Sequence, residues 1–150
     1  MKSPVKDLIS QVITLLDSNV TVTHDKRGSE TLNAYTSVPN GKQSFMLVRL
    51  VSSEDISTKD VYLEQGILAI DVVDRTKEDN ASMEFVYDVL NEIEGLLAPS
   101  FGYRPTSGAN GATVSFYKLG RTNTDQDYQA GFAKVNHMTL EVNYRLQYTG

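Results

Sequence analysis

Residues 134–148 read KVNHMTLEVNYRLQY, and apolar side chains fall at every second position: Met138, Leu140, Val142, Tyr144, Leu146 and Tyr148. Between them stand His137, Thr139, Glu141, Asn143, Arg145 and Gln147. Successive strand side chains point to opposite faces, so the pattern predicts one long strand with an apolar face and a polar face. A strand of this length exceeds the usual range of about 3–10 residues. It needs partners along its whole length, which makes it the spine of a sheet carrying the helices.

The rest of the chain supplies those partners. Ser44 to Val51 alternates Phe45, Leu47 and Arg49 against Met46, Val48 and Leu50, and two apolar faces predict a central strand. Ser52 to Asp60 reads as a polar connection. Val61 to Val73 reads as the next long strand, in which Val61 and Leu63 change parity with Leu68, Ile70 and Val72 around Gly66. An extra residue there puts both sets on one face, so a β-bulge is expected at Gly66. Thr113 to Leu119 alternates Val114, Phe116 and Lys118 with Thr113, Ser115 and Tyr117. It pairs with the final strand as a hairpin whose mouth is Gly120–Gly131. Shorter extended pieces are expected at Val20–His24 and Leu32–Thr36, with a turn at Pro39-Asn40-Gly41.

Two helices complete the set. Ser3 and Pro4 form an N-cap and first-turn proline. Val5, Leu8, Ile9, Val12, Ile13 and Leu16 then define one stripe, and Asn19 closes the helix. Asp79 or Asn80 caps a second helix, Ala81–Leu97, with the stripe Met83, Val86, Tyr87, Leu90, Ile93 and Leu97, widened by Val89 and Leu96; Pro99 stops it. Tyr103–Ala112 (YRPTSGANGA) reads as a Gly-rich turn. The expected fold is α+β: a mixed, mainly antiparallel sheet with two main helices on one face, in the order α-β-β-β-α-β-β.

Composition narrows the function. The 150 residues suit one domain. The absence of cysteine removes disulfides and thiolate metal sites and fits a reducing cytosol. No apolar run reaches the ~18–20 residues of a membrane span. Polar residues interrupt the N-terminal apolar set at helical spacing, so it reads as an amphipathic helix and not a signal peptide. The net charge of −5 disfavours a groove that grips nucleic-acid phosphates.

Candidate chemistry is sparse. The two histidines, His24 and His137, sit in no nucleophile motif. Ser107–Ala112 lacks the lysine and the following helix of a phosphate loop. Asp71 and Asp74, with Glu78, could in principle hold magnesium for phosphoryl transfer, although Asp71 and Asp74 have opposite strand parity. The competing reading is a charged turn leading into a helix. Arg121–Phe132 (RTNTDQDYQAGF) mixes charge, amide and aromatic groups and reads either as an ordinary hairpin loop or as a contact arm.

The layout resembles the tail terminator, or tail completion, proteins of long-tailed bacteriophages. The resemblance lies in the amphipathic helix Pro4–Leu16, the strand leaving a proline turn (VPNGKQSFMLVRL, ending at Leu50), and the strand–turn–helix Tyr62–Leu97. It continues in the closing Tyr117–Tyr148 segment with its acidic loop and H-x-T-L-x-V-x-Y-R-L strand. It implies a non-enzymatic, cofactor-free subunit of a homo-oligomeric ring, usually a hexamer. Such a ring caps the tail tube, ends its polymerisation and offers its other face to the head-completion or connector protein. DNA passes through the lumen without specific contacts and no membrane is involved. The ring is assembled in the host cytoplasm and resides in the virion neck. Another connector subunit, or the magnesium-dependent nuclease above, are the alternatives. The expected interface residues are Arg121, Asp125, Asp127, Tyr128 and Phe132, then Tyr103 and Arg104, and the polar face of the last strand at His137, Glu141 and Arg145.

Overall fold

A computed structural model describes residues 5–20, 32–40, 44–59, 61–76, 84–97, 104–107, 113–122 and 134–148. In chain order these form α1 (Val5–Asn19), β1 (Ala34–Tyr35), β2 (Ser44–Asp55), β3 (Tyr62–Thr76), α2 (Glu84–Leu97), β4 (Arg104–Ser107), β5 (Thr113–Thr122) and β6 (Lys134–Tyr148). The strands make one sheet in the order β1-β2-β3-β6-β5-β4. Only the β1–β2 pair is parallel; the others are antiparallel. The α+β class, the mainly antiparallel sheet and the element order agree with the sequence reading.

The spine is where the 134–148 pattern put it. β6 pairs with β3 without a register break from Tyr62↔Tyr148 to Thr76↔Lys134, and with β5 on its other side. The apolar set of β6 faces the helices. Leu140, Val142, Tyr144 and Leu146 join Leu68, Ile70 and Val72 of β3, and Met46 and Val48 of β2, in one core. Onto this surface α1 lays Leu8, Val12 and Leu16, and α2 lays Phe85, Val86, Val89, Leu90, Ile93 and Leu97. Each such side chain taken out of water stabilises the fold by roughly 1.5–3 kcal/mol.

Local details follow from side-chain chemistry. At the end of α1 the Asn19 side-chain amide donates to the Leu15 carbonyl at 2.8 Å, and the Asp17 carboxylate accepts the Ala34 N–H at 2.7 Å. This ties the helix to β1. The Met46 N–H donates to the Asn33 carbonyl at 2.9 Å, which starts the parallel pair. Glu84 in the first turn of α2 sits where the helix dipole favours negative charge.

Several expectations are corrected. β2 runs on to Asp55, so Ser52–Asp55 is strand and not connection. It is second from the edge; the centre belongs to β3 and β6. The bulge lies in β2, between Leu50 and Ser52, while β3 passes Gly66 in regular register. Leu63 therefore stays on the face away from the helices, and Glu64 takes the core side. A short strand, β4, replaces part of the expected Gly-rich turn. On α2, Phe85 is buried and Tyr87 exposed, which rotates the stripe by a fraction of a turn. The expected helix start at Ser3-Pro4, the strand at Val20–His24 beyond Val20, the turn at Asp79-Asn80, Met83 and Pro99 lie outside the described residues.

Candidate functional site

The face of the sheet turned away from the helices carries the polar residues of β6, and its centre is dry. Thr139, expected to be wet, is fully buried and donates its hydroxyl to Asp71. The Asp71 carboxylate, 0% exposed, also accepts from Arg49 Nε at 2.8 Å. A buried carboxylate between a hydroxyl and a guanidinium has the partners that make burial tolerable. Beside it Phe45, Leu47 and Val73 form a second small apolar cluster with Tyr35 and Val135. Arg75 covers this cluster, its guanidinium 5.0 Å from the centre of the Phe45 ring.

Asp74 is equally buried but on the helix side, where it accepts the Ser44 hydroxyl at 2.9 Å. Asp71 and Asp74 thus point to opposite faces of one strand and cannot ligate the same ion. Glu78, the third carboxylate of the nuclease reading, lies outside the described residues. Among the described residues no group of three His, Cys, Asp or Glu converges on a metal position.

A third polar centre is hidden in the core layer. Glu64, 3% exposed, accepts the hydroxyls of Tyr62 at 2.7 Å and Tyr144 at 2.8 Å. Burial first, and the neighbouring carboxylate second, push the Tyr144 hydroxyl well above the ordinary tyrosine range. The pair is therefore a neutral phenol donating to an acceptor at every physiological pH.

The accessible feature is the far end of the β2–β3 pair. From Leu50 onward β2 is exposed on both faces, and Leu50 and Val51 are 39% and 46% exposed. β5 carries a matching irregularity between Phe116 and Lys118, which turns out Tyr117 at 44%. The two bulges flank the Ile67↔Asn143 pair at neighbouring levels of the sheet. Between them runs a shallow groove lined by Ser52, Glu54, Gln65, Ile67, Tyr117 and Asn143. The connection beyond it is braced: Ser57 N–H donates to the Asp55 carboxylate at 2.9 Å, and Thr58 N–H to the Val61 carbonyl at 3.0 Å.

The expected interface residues divide. Arg121 belongs to β5 and reaches across to α2, where Nε donates to Glu94 Oε1 at 2.7 Å and Nη2 to Glu94 Oε2 at 3.2 Å and Asn91 Oδ1 at 2.5 Å. It works within the chain as a brace between β5 and α2. Arg104 opens the outermost strand β4. His137 and Glu141 are half-buried on the polar face, paired in register with Val73 and Ala69, and Arg145 is exposed. Tyr103, Asp125, Asp127, Tyr128 and Phe132 lie outside the described residues.

The groove and the Glu64 centre escaped sequence reading. A glutamate at a core position breaks the apolar pattern and looks like a surface residue. Its two tyrosine partners are distant in the chain or two residues away, with no motif to join them. The parity change at Leu63 was a usable signal, because an unbroken β3 forces Glu64 inward. Among the described residues no helix is long and apolar enough to cross a membrane. No known family model matches the chain, and no curated protein matches it either.

Proposed function

We propose that the protein is a structural subunit of a phage tail-terminator or neck ring, which caps the tail tube and provides the surface for head attachment. The observation that carries this reading is the β2 segment beyond Leu50. It is exposed on both faces although its neighbours Leu68 and Glu64 in β3 are buried, and it starts at the exposed Leu50 and Val51. An isolated subunit gains nothing from exposed apolar strand, whereas a neighbouring subunit buries it. The element order from which the resemblance was drawn is the order of the helices and strands. The net charge of −5 suits a ring whose lumen lets DNA slide without trapping its phosphates. Its partners are further copies of itself, the tail tube protein and a head-side connector, in the virion neck after assembly in the host cytoplasm.

Sedimentation velocity with and without purified tail tubes of a long-tailed phage tests the proposal. Binding at tube ends, with ring particles visible by negative-stain microscopy, is the expected result. Protein that remains monomeric alone and never associates with tube ends excludes it.

A further inference from the structure

The sheet has two outer edges, and their backbone groups differ. On one side β1 borders β2 only at Met46 and Leu47, so β2 from Val48 to Asp55 has no strand outside it among the described residues. On the other side β4 is outermost. The outward groups follow from one hydrogen bond. The Ile56 N–H donates to the Leu63 carbonyl at 2.8 Å, so Ile56 faces β3. Strand residues alternate in the direction of their backbone groups, so Glu54 also faces β3 and Ser53 and Asp55 face outward.

The same alternation carries across the sheet through Glu64↔Leu146, Thr113↔Gln147 and Thr106↔Val114. It turns Arg104 and Thr106 toward β5, and Pro105 and Ser107 outward. Proline has no N–H, and the outer side of an edge strand is where that loss is tolerated.

Four successive antiparallel pairings make β2 and β4 run in the same direction. Asp55 and Thr106 occupy one cross-strand row: Asp55, Glu64, Leu146, Val114, Thr106. A copy placed beside the first in unshifted register therefore sets Asp55 opposite Thr106 in a parallel ladder. There a residue bonds to the carbonyl before, and the N–H after, the residue it faces. Asp55 N–H meets the Pro105 carbonyl, and Ser107 N–H meets the Asp55 carbonyl. One row back, the Ser53 carbonyl faces the Pro105 nitrogen, which carries no hydrogen, so that bond is not made and the ladder is held by the two bonds at Asp55. In sequence, the one edge segment carries Glu54 and Asp55 and the other Arg104. Hydrogen bonds from the Ser57 side chain and backbone hold the Asp55 carboxyl below its ordinary range.

We propose that a second copy of this chain docks edge to edge, its β2 at Ser53–Asp55 alongside β4 at Arg104–Ser107 of the first. The contact is head-to-tail, so it repeats from copy to copy and closes into a ring when the rotation permits. It rests on the ring reading above for its closure.

The natural chain has no cysteine, which gives a clean background for cross-linking. Ser53 and Arg104 share one cross-strand row, Ser53, Gly66, Tyr144, Phe116, Arg104. Within one chain they stand four strand spacings apart, about 19 Å, beyond the ~7 Å limit for a disulfide. The double variant Ser53→Cys/Arg104→Cys is oxidised mildly, both concentrated and on tail tubes, and a denaturing gel is run without reductant. A ladder extending past the dimer is expected, with each single variant monomeric. The pair Asp55→Cys/Thr106→Cys gives the same ladder and guards against one variant failing to fold. A covalent dimer from Ser53→Cys alone means a two-fold contact and overturns the proposal. A sedimenting oligomer that yields no ladder from either pair overturns this contact and leaves the ring reading standing. A protein that is monomeric in every condition, tubes included, overturns both.

Discussion

Tyr144 lies directly across from Gly66, and its ring fills the space that a side chain at position 66 needs. A Cβ there stands 2.9 Å from the Tyr144 Cε1 and closer still to the Ser52 carbonyl oxygen. The latter is backbone at the bulge and cannot rotate away. Gly66→Ala therefore costs about 2–3 kcal/mol, measured as a lowered urea midpoint. A variant as stable as the parent contradicts the close approach.

The Tyr144 hydroxyl keeps its proton in the folded state far longer than in the unfolded chain, where a tyrosine titrates near pH 10. Above that pH, unfolding releases a proton that the native state holds. Stability then falls as pH rises, by at most ~1.4 kcal/mol per pH unit from this group. Tyr144→Phe costs about 1 kcal/mol near neutrality, through the lost hydrogen bond to Glu64. The gap between parent and variant narrows between about pH 9 and about pH 11. Denaturant titrations at both ends of that range check the sign.

Asp71→Asn removes the charge that faces Arg49 while keeping the shape of the side chain. The expected loss is about 2–3 kcal/mol, below the range for a wholly buried pair because Arg49 keeps access to water. Thermal melts of Asp71→Asn, Arg49→Met and the double variant give the coupling energy. Additive losses mean that the ion pair is not what makes Asp71 important.

Arg121→Ala breaks a bidentate contact between β5 and α2 at the surface. Partly exposed pairs are weak, so the loss is about 0.5–1 kcal/mol, and added salt narrows it. A loss of several kcal/mol, or abolished tube binding with stability unchanged, assigns Arg121 a different role.

What could be read from residues alone depended on periodicity. The alternation in 134–148 located the central strand because one face of β6 is uniformly apolar. β2 was legible as far as Leu50, where its apolar pattern stops. Its polar continuation to Asp55 is strand only because β3 pairs with it, which no local pattern records. Pro105 beside Ser107-Gly108 reads as turn chemistry, yet proline is compatible with an outermost strand whose N–H side is unpaired. Tyr87 fits a helical stripe as well as Phe85 does, and only the direction from which the sheet approaches decides between them. The dry centre of the second face was hidden for a similar reason. Thr139 and Asp71 each look solvent-facing until they are placed opposite one another.

The position of β6 has a kinetic consequence. It is the last described element in the chain, yet it is inserted between β3 and β5, so Asp71 meets Thr139 across 68 intervening sequence steps. Such distant pairing must close a long loop before any contact rewards it, which places the protein among slow-folding topologies. On the ribosome β2, β3 and α2 emerge well ahead of the strand that completes their core. Until β6 arrives, the inner edges of β3 and β5 are open, and holding them apart from other nascent chains is the task that falls to chaperones.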